Sequence, residues 1–305
     1  MSILVQLKDI KNLPTLPEVM IKVQALISSD EGDASTLADI VKQDPSLTTT
    51  VLKTANSAYY NIASRRISSI SEAIARIGFN EVLKIALAMS VVQQFSNTKS
   101  MIGYKAFWRH SLTAANMTLI IADAMRHESL EKYRQDLFLA GLLHDIGILI
   151  YDQFFHEEFT KIIDFALHNE KTYLTSEEMI SPKETHAFIG GALLEIWKLT
   201  LPIIVAVRNH HTPKKAPENL REMVAVVSLV EYILCNSRVG SFEGTIKDID
   251  KSVWDITRIS PDDINTLYYK AEAEAGKSDV VLSIDTGFKR YSRPGYGDQS
   301  PLRSI

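Results

Sequence analysis

The chain has 305 residues, 46% of them hydrophobic and 23% charged, an ordinary globular composition with room for one large core or two smaller ones. A formal net charge of −4 argues against a generally basic nucleic-acid-binding surface, and a single cysteine, Cys235, excludes an intrachain disulfide. The N-terminus lacks a charged segment followed by an apolar one, and the best apolar stretch, Leu137 to Ile150, is cut by His144 and Asp145; neither signal peptide nor membrane helix is expected, and the chain is read as cytoplasmic.

The first hundred residues read as a series of short helices. Leu16, Val19, Val23, Leu26 and Ile27 follow helical spacing, and SSDEGD (28–33) breaks the pattern. A helix over about 35–42 carries Leu37, Ile40 and Val41. Asp44-Pro45 reads as an N-cap followed by proline at the first helical position, opening a helix with Leu47, Val51, Leu52 and Ala55. Ser69 and Glu72 form a capping box, Gly78 suits the end of that helix, and Asn80 is expected to cap the next, about 81–95. One helix contains His110 and runs to about Met125; another spans about Arg134 to Phe155. Ser181-Pro182-Lys183-Glu184 reads as a capping box that starts a helix through Trp197. Leu201–His210, Glu222–Cys235 and a helix from Ser260 to about Ala275 follow. Val280 to Ile284 is the one strand-like run, and residues 292–304 read as a loose tail rich in Gly, Pro and Ser. The expected fold is all-α: a multi-helix bundle with an N-terminal lobe (1–98), a second lobe (99–245) and a C-terminal extension (246–305).

Five of the eight histidines fall in four places: His110, His144 beside Asp145, His186, and the pair His210-His211. His144-Asp145 interrupts the apolar run LFLAGLLHDIGILI, so its carboxylate is expected to be buried, which is costly unless it is hydrogen-bonded or coordinates metal. Imidazole and carboxylate together suit Zn, Fe, Mn or Ni. Two such ions roughly 3.5–4 Å apart can share one carboxylate and a water that attacks phosphoesters. Each piece also has a plainer reading: a satisfied core pair for His144-Asp145, an exposed helix start for His186, a turn for His210-His211. His127, His156 and His168 lie in charged surroundings and read as surface.

The order H…HD…H…HH resembles the HD superfamily of metal-dependent phosphohydrolases, and especially the HD-GYP cyclic-di-GMP phosphodiesterase branch. LPTLPEV (13–19), IVKQDPSLTTTVLKTANSAYY (40–60), ISSISEAIARIG (67–78), LLHDIG (142–147) and NHH (209–211) are similar to the HDOD domain, over roughly residues 10–240. That resemblance implies a bacterial, all-helical protein of signal transduction. It carries metal-ligand roles onto His110, His144, Asp145, His186, His210 and His211, with one or two divalent ions. Asp145 is also the candidate catalytic residue that the resemblance implies. The last ligand of such sites is an aspartate; the matching position is Glu231, one methylene longer. Two departures count against turnover. The lysine that commonly faces phosphate in active relatives is Ile148 here, and TPKKAPENL replaces the GYP loop; its Lys214 and Lys215 read as solvated loop lysines ahead of a source of charge for phosphate. Asn56 and Ser57 belong to the family pattern, and no role beyond capping or hydrogen bonding is read for them.

Two functions follow as expectations. The first is a regulatory protein with an HD-type metal site and a protein partner. The second is a metal-dependent phosphohydrolase acting on a nucleotide or cyclic dinucleotide. A helix–turn–helix reading of Ser35–Asn56 is weak, because the second helix offers only Lys53 to phosphate; nucleic acid and membrane are not expected partners.

Overall fold

The computed structural model describes residues 3–28, 33–61, 65–95, 100–240, 242, 244–246 and 248–283. Every regular element among them is a helix, so the fold is all-α. Contacts divide the chain into two units: residues 3–13 with 100–275, and 14–95 with 276–283, of those described. The expected tail at 292–304 lies outside the described residues.

Helix α1 (Ile3–Asp9) belongs to the first unit. The second unit is built from α2 (Glu18–Ser28), α3 (Ala34–Lys42), α4 (Pro45–Ala55), α5 (Ile70–Ile77) and α6 (Phe79–Gln94). Local chemistry sets these starts. Asp33 accepts the Thr36 N–H at 2.7 Å, and Asp44 accepts those of Ser46 and Leu47 at 2.8 and 3.0 Å, each satisfying orphan donors of a first turn. Ser69 accepts the Glu72 N–H, while Glu72 reaches back to the Ser68 N–H. Gly78 adopts φ +89°, open to glycine at little cost, and the chain turns within that one residue. Helix α6 therefore begins at Phe79, and Asn80 lies inside its first turn instead of capping it. The Asn56 side chain clamps the Ile67 peptide, accepting its N–H at 2.9 Å and donating to its carbonyl at 2.8 Å. Arg76 donates to Asn61 and to the carbonyls of Ala55 and Arg65. The ANSAYY pattern is thus partly a staple between the end of α4 and the start of α5.

The first unit continues with α7 (Tyr104–Met125), α8 (Glu128–Glu131), α9 (Arg134–Leu143), α10 (Ile146–Phe154), α11 (His156–Asn169), α12 (Tyr173–Ile180), α13 (His186–Ile196), α14 (Leu201–Asn209), α15 (Arg221–Asn236), α16 (Lys251–Thr257) and α17 (Ile264–Leu282). Residues of α17 from Gly276 onward group with the second unit. Helix α7 packs along α9, α13 against α10 and α14, and α15 against α7 and α14. Three expectations are corrected here. The single helix over 134–155 is two, broken at His144-Asp145, where the Ile148 N–H bonds the Asp145 carbonyl in a tight turn. The helix expected from Ser181 starts at His186, because Thr185 supplies the cap, accepting the Phe188 N–H. The strand-like Val280–Leu282 closes α17 as helix, with Val281 and Leu282 buried; Ile284 lies outside the described residues.

The stretch Arg134–Phe154 is long and apolar enough to cross a membrane by length and composition, yet 89% of its apolar window is buried inside the fold. It is the inner layer of the bundle. Its closest approach is at Gly147, where an added Cβ would stand 1.9 Å from the His186 carbonyl oxygen and 2.8 Å from the Gly190 nitrogen. Helices α10 and α13 can meet backbone to backbone only because residue 147 has no side chain.

Candidate metal centre

Seven side chains from five helices and their ends converge inside the first unit. His110 projects from the middle of α7 and Glu231 from the middle of α15. His144 and His210 are the residues that end α9 and α14, and each ring donates its Nδ1–H to the carbonyl three residues back, Gly141 or Val207, at 2.7 Å. Those carbonyls belong to last turns that have no helical partner, so the ring caps the helix while its Nε2 is left to face inward. Asp145 follows at the break, and His186 is the first residue of α13. His110 donates Nδ1–H to the Gly240 carbonyl at 2.9 Å, and His186 donates to Glu177 Oε2 at 2.7 Å. With four Nδ1 atoms engaged outward, the four Nε2 atoms face inward, the arrangement that outer hydrogen bonds impose on metal-binding imidazoles.

The inward atoms form two groups. His110, His144, Asp145 and Glu231 bring ligand atoms within 4.8 Å of one another, as do His186, His210 and His211. In the first group Glu231 Oε2 lies 3.0 Å from both His110 Nε2 and His144 Nε2, which are 3.1 Å apart; its longer side chain still reaches. In the second, His186 Nε2 is 3.4 Å from His210 Nε2 and 3.3 Å from His211 Nε2. Asp145 stands between them. Its Oδ2 is 3.3 and 3.5 Å from the nitrogens of His144 and His110, and its Oδ1 is 3.7 and 3.8 Å from those of His186 and His210. All of these except the half-buried His211 are at most 3% exposed.

The electrostatics ask for positive charge. Bare imidazole nitrogens and carboxylate oxygens at about 3 Å repel unless a proton or cation lies between them. Burial opposes charge on His110 and His144, but the carboxylates of Glu231 and Asp145 outweigh it and hold both above the ordinary 6.5, His144 well above. Burial also opposes the Glu231 and Asp145 carboxylates, yet the two histidines pull both below their ordinary range. His210 goes the other way: burial, then the neighbouring His211, His144 and His186, depress it well below 6.5. Asp145 Oδ1 is buried and makes no hydrogen bond, a costly state for a carboxylate oxygen that a coordinated cation would relieve. The donor set, imidazole nitrogen with carboxylate oxygen, suits a divalent transition metal or zinc. His110, His144, Glu231 and Asp145 would hold one ion, and His186, His210, His211 and Asp145 a second.

Other residues singled out in the sequence fall elsewhere. Ile148 is fully buried, and Lys214 pairs with Asp250 at 3.0 Å while Lys215 is exposed. Asp145 and Glu231 form ion pairs only with histidines among the described residues. His156 and His168 are exposed, and His127 pairs with Glu222. Sequence reasoning missed Glu177, which is fully buried behind His186. Its available signal was the spacing Tyr173, Ser176, Glu177, which puts a carboxylate on the face of α12 that also carries an aromatic ring.

An HDOD-domain family model matches residues 13–213. An uncharacterized protein of Treponema pallidum (strain Nichols) is 26% identical over 226 residues, which is 74% of this chain and 42% of that protein; the chain thus spans under half the length of this curated relative. Among solved structures, an HDOD domain protein with unknown function from Geobacter sulfurreducens superposes with a TM-score of 0.74 at 24% identity, covering 92% of this chain and 95% of its own. A protein of Shewanella amazonensis SB2B, provisionally named a phosphohydrolase, does so at 0.67 and 20% identity, covering 92% and 97%. At these identities the two structures share the fold.

Proposed function

Because the chain belongs to the HDOD family, we propose that it is a bacterial signal-transduction protein of the cytoplasm, built around a two-ion divalent metal centre that keeps its full set of ligands. The observation that carries this reading is Asp145: one carboxylate oxygen faces each ligand group, and one of the two has no other partner. Iron, manganese, nickel and zinc all suit the donors. In this reading the helical surfaces bind a protein partner, and occupancy of the centre sets the state that the partner meets.

A metal-dependent phosphohydrolase acting on a nucleotide or cyclic dinucleotide is the second reading, favoured by the same shared carboxylate. A bound ion pair supplies a water of lowered pKa and Lewis acidity toward a phosphoryl oxygen. The chain's own residues add little beyond holding such ions: Ile148 is buried where related enzymes present lysine, and Lys214 is tied to Asp250. Phosphoryl transfer leans on positive groups around the transferred charge, so the regulatory reading ranks first.

Elemental analysis of the protein, purified without a histidine tag or chelator, tests the centre. About two equivalents of transition metal are expected, and Asp145→Ala should lose them. No metal after anaerobic loading would overturn the proposal. Turnover of bis-p-nitrophenyl phosphate or a cyclic dinucleotide by the loaded protein, lost in Asp145→Ala, would instead bring the hydrolase reading to the front.

A further inference from the structure

Of the four imidazoles held through Nδ1, three donate to main-chain carbonyls: His110 to Gly240, His144 to Gly141 and His210 to Val207. His186 donates to a carboxylate, Glu177 Oε2. The other oxygen, Oε1, accepts the main-chain N–H of His186 at 2.7 Å and the Tyr173 hydroxyl at 2.9 Å. Glu177 and His186 are both 0% exposed. A carboxylate brought so far from water is expensive, and three hydrogen bonds only partly offset that.

The two ligand groups differ in charge. His110 and His144 are matched by two carboxylates, Glu231 and Asp145 Oδ2. The second group has three imidazoles, His186, His210 and His211, and only the far oxygen of Asp145. Glu177 supplies what that group lacks, one hydrogen bond behind its ligand.

We propose that Glu177 is a positioning residue that fixes His186 as the Nδ1–H tautomer and lends negative charge to the His186/His210/His211 group, so that a divalent ion there depends on Glu177 while one at His110/His144/Glu231 does not. The inference rests on the metal-centre reading. A carboxylate accepting Nδ1–H makes Nε2 a stronger donor to metal, and loss of such an outer partner costs roughly 10–100-fold in metal affinity.

Glu177→Gln keeps the shape and tests the charge. The amide oxygen can serve the His186 N–H and the Tyr173 hydroxyl, leaving the NH₂ group against Nδ1. His186 then adopts the Nε2–H tautomer, whose proton occupies the ligand position. Titration of metal-free protein with Zn²⁺ or Mn²⁺ should show two sites in the wild type. In the variant one should weaken about 10–100-fold and the other stay unchanged. Nitrogen-15 spectra of the metal-free proteins should show His186 as Nδ1–H in the wild type and Nε2–H in the variant. A natively folded Glu177→Gln that binds both ions with wild-type affinity would overturn the proposal. So would a wild-type His186 carrying its proton on Nε2, a measurement that stands even if the variant does not fold. Wild-type protein that binds no metal would sink the metal-centre reading together with the affinity claim. A wrong tautomer with two ions bound would sink this inference alone.

Discussion

Replacing Gly147 by alanine probes how the second ligand group is held. The added methyl would stand 1.9 Å from the His186 carbonyl oxygen and 2.8 Å from the Gly190 nitrogen, both main-chain atoms that cannot rotate away. Helices α10 and α13 must separate by about 1.5 Å before that contact becomes ordinary. Overpacking of a core costs about 1–3 kcal/mol, and obstruction by backbone on both sides places this case at the upper end. For a domain of this size that is a fall in Tm of roughly 6–12 °C. The same displacement carries His186 away from Asp145 and His210, whereas metal ligands tolerate only about 0.2 Å of error. Gly147→Ala should therefore lose the ion of the His186 group and keep the one at His110, His144 and Glu231. Calorimetry and elemental analysis of one preparation read both effects. Gly276 is the control: it lies within α17 with nothing within 4 Å of a Cβ, and Gly276→Ala should stabilise by about 0.5–1 kcal/mol. A Gly147→Ala protein with wild-type Tm and a full metal load would refute the close-packing argument.

Three other outcomes are expected. Asp145→Ala should abolish the metal-dependent part of stability, about 2.7 kcal/mol for each ion when free metal is 100-fold above its Kd; an unchanged shift of Tm on metal addition would count against Asp145 as a ligand. In the metal-free protein the raised histidines His110 and His144 contribute stability fully present below about pH 6.5 and lost as pH rises through their folded values. The depressed groups, His210, Glu231 and Asp145, contribute stability present above their ordinary values and lost on acidification. Metal-free stability should thus decline as pH rises above about 6.5, while the metal-loaded protein, whose ligands must be deprotonated, gains over the same range. Parallel Tm–pH curves for the two forms would contradict this. Asn56→Ala removes both partners of the Ile67 peptide and should cost about 1–3 kcal/mol by urea unfolding; a neutral effect would mean the clamp is redundant.

Features decided within a few residues were legible beforehand. Asp44-Pro45 and Ser69 cap α4 and α5 as their local patterns imply, because a side-chain oxygen two or three residues from an orphan N–H needs no tertiary help. Features decided across the fold were not. His144-Asp145 interrupts the apolar run through 134–155, but nothing local says that the helix itself stops there; His144 finds its carboxylate on Glu231, 87 residues away. At 181–185 two residues offer a capping oxygen, and it is Thr185 that caps, with the His186 N–H meeting Glu177 on another helix. Glu177 and Glu178 are neighbours of identical chemistry, and only the packing of α12 decides which one is buried. The clustered histidines and carboxylates were visible as types in order. That one carboxylate stands between two groups was not, because it depends on where helix ends meet.

Two of those ends have a wider consequence. His144 and His210 sit where α9 and α14 stop, each ring bonded to a last-turn carbonyl inside the core. Cations held by the two rings and shared through Asp145 would tie the two last turns to each other, so that their hydrogen bonds open together. Amides around the ends of α9 and α14 would exchange with solvent more slowly in the metal-loaded protein than in the empty one. Occupancy would then be recorded as a difference in fluctuation at a few helix ends.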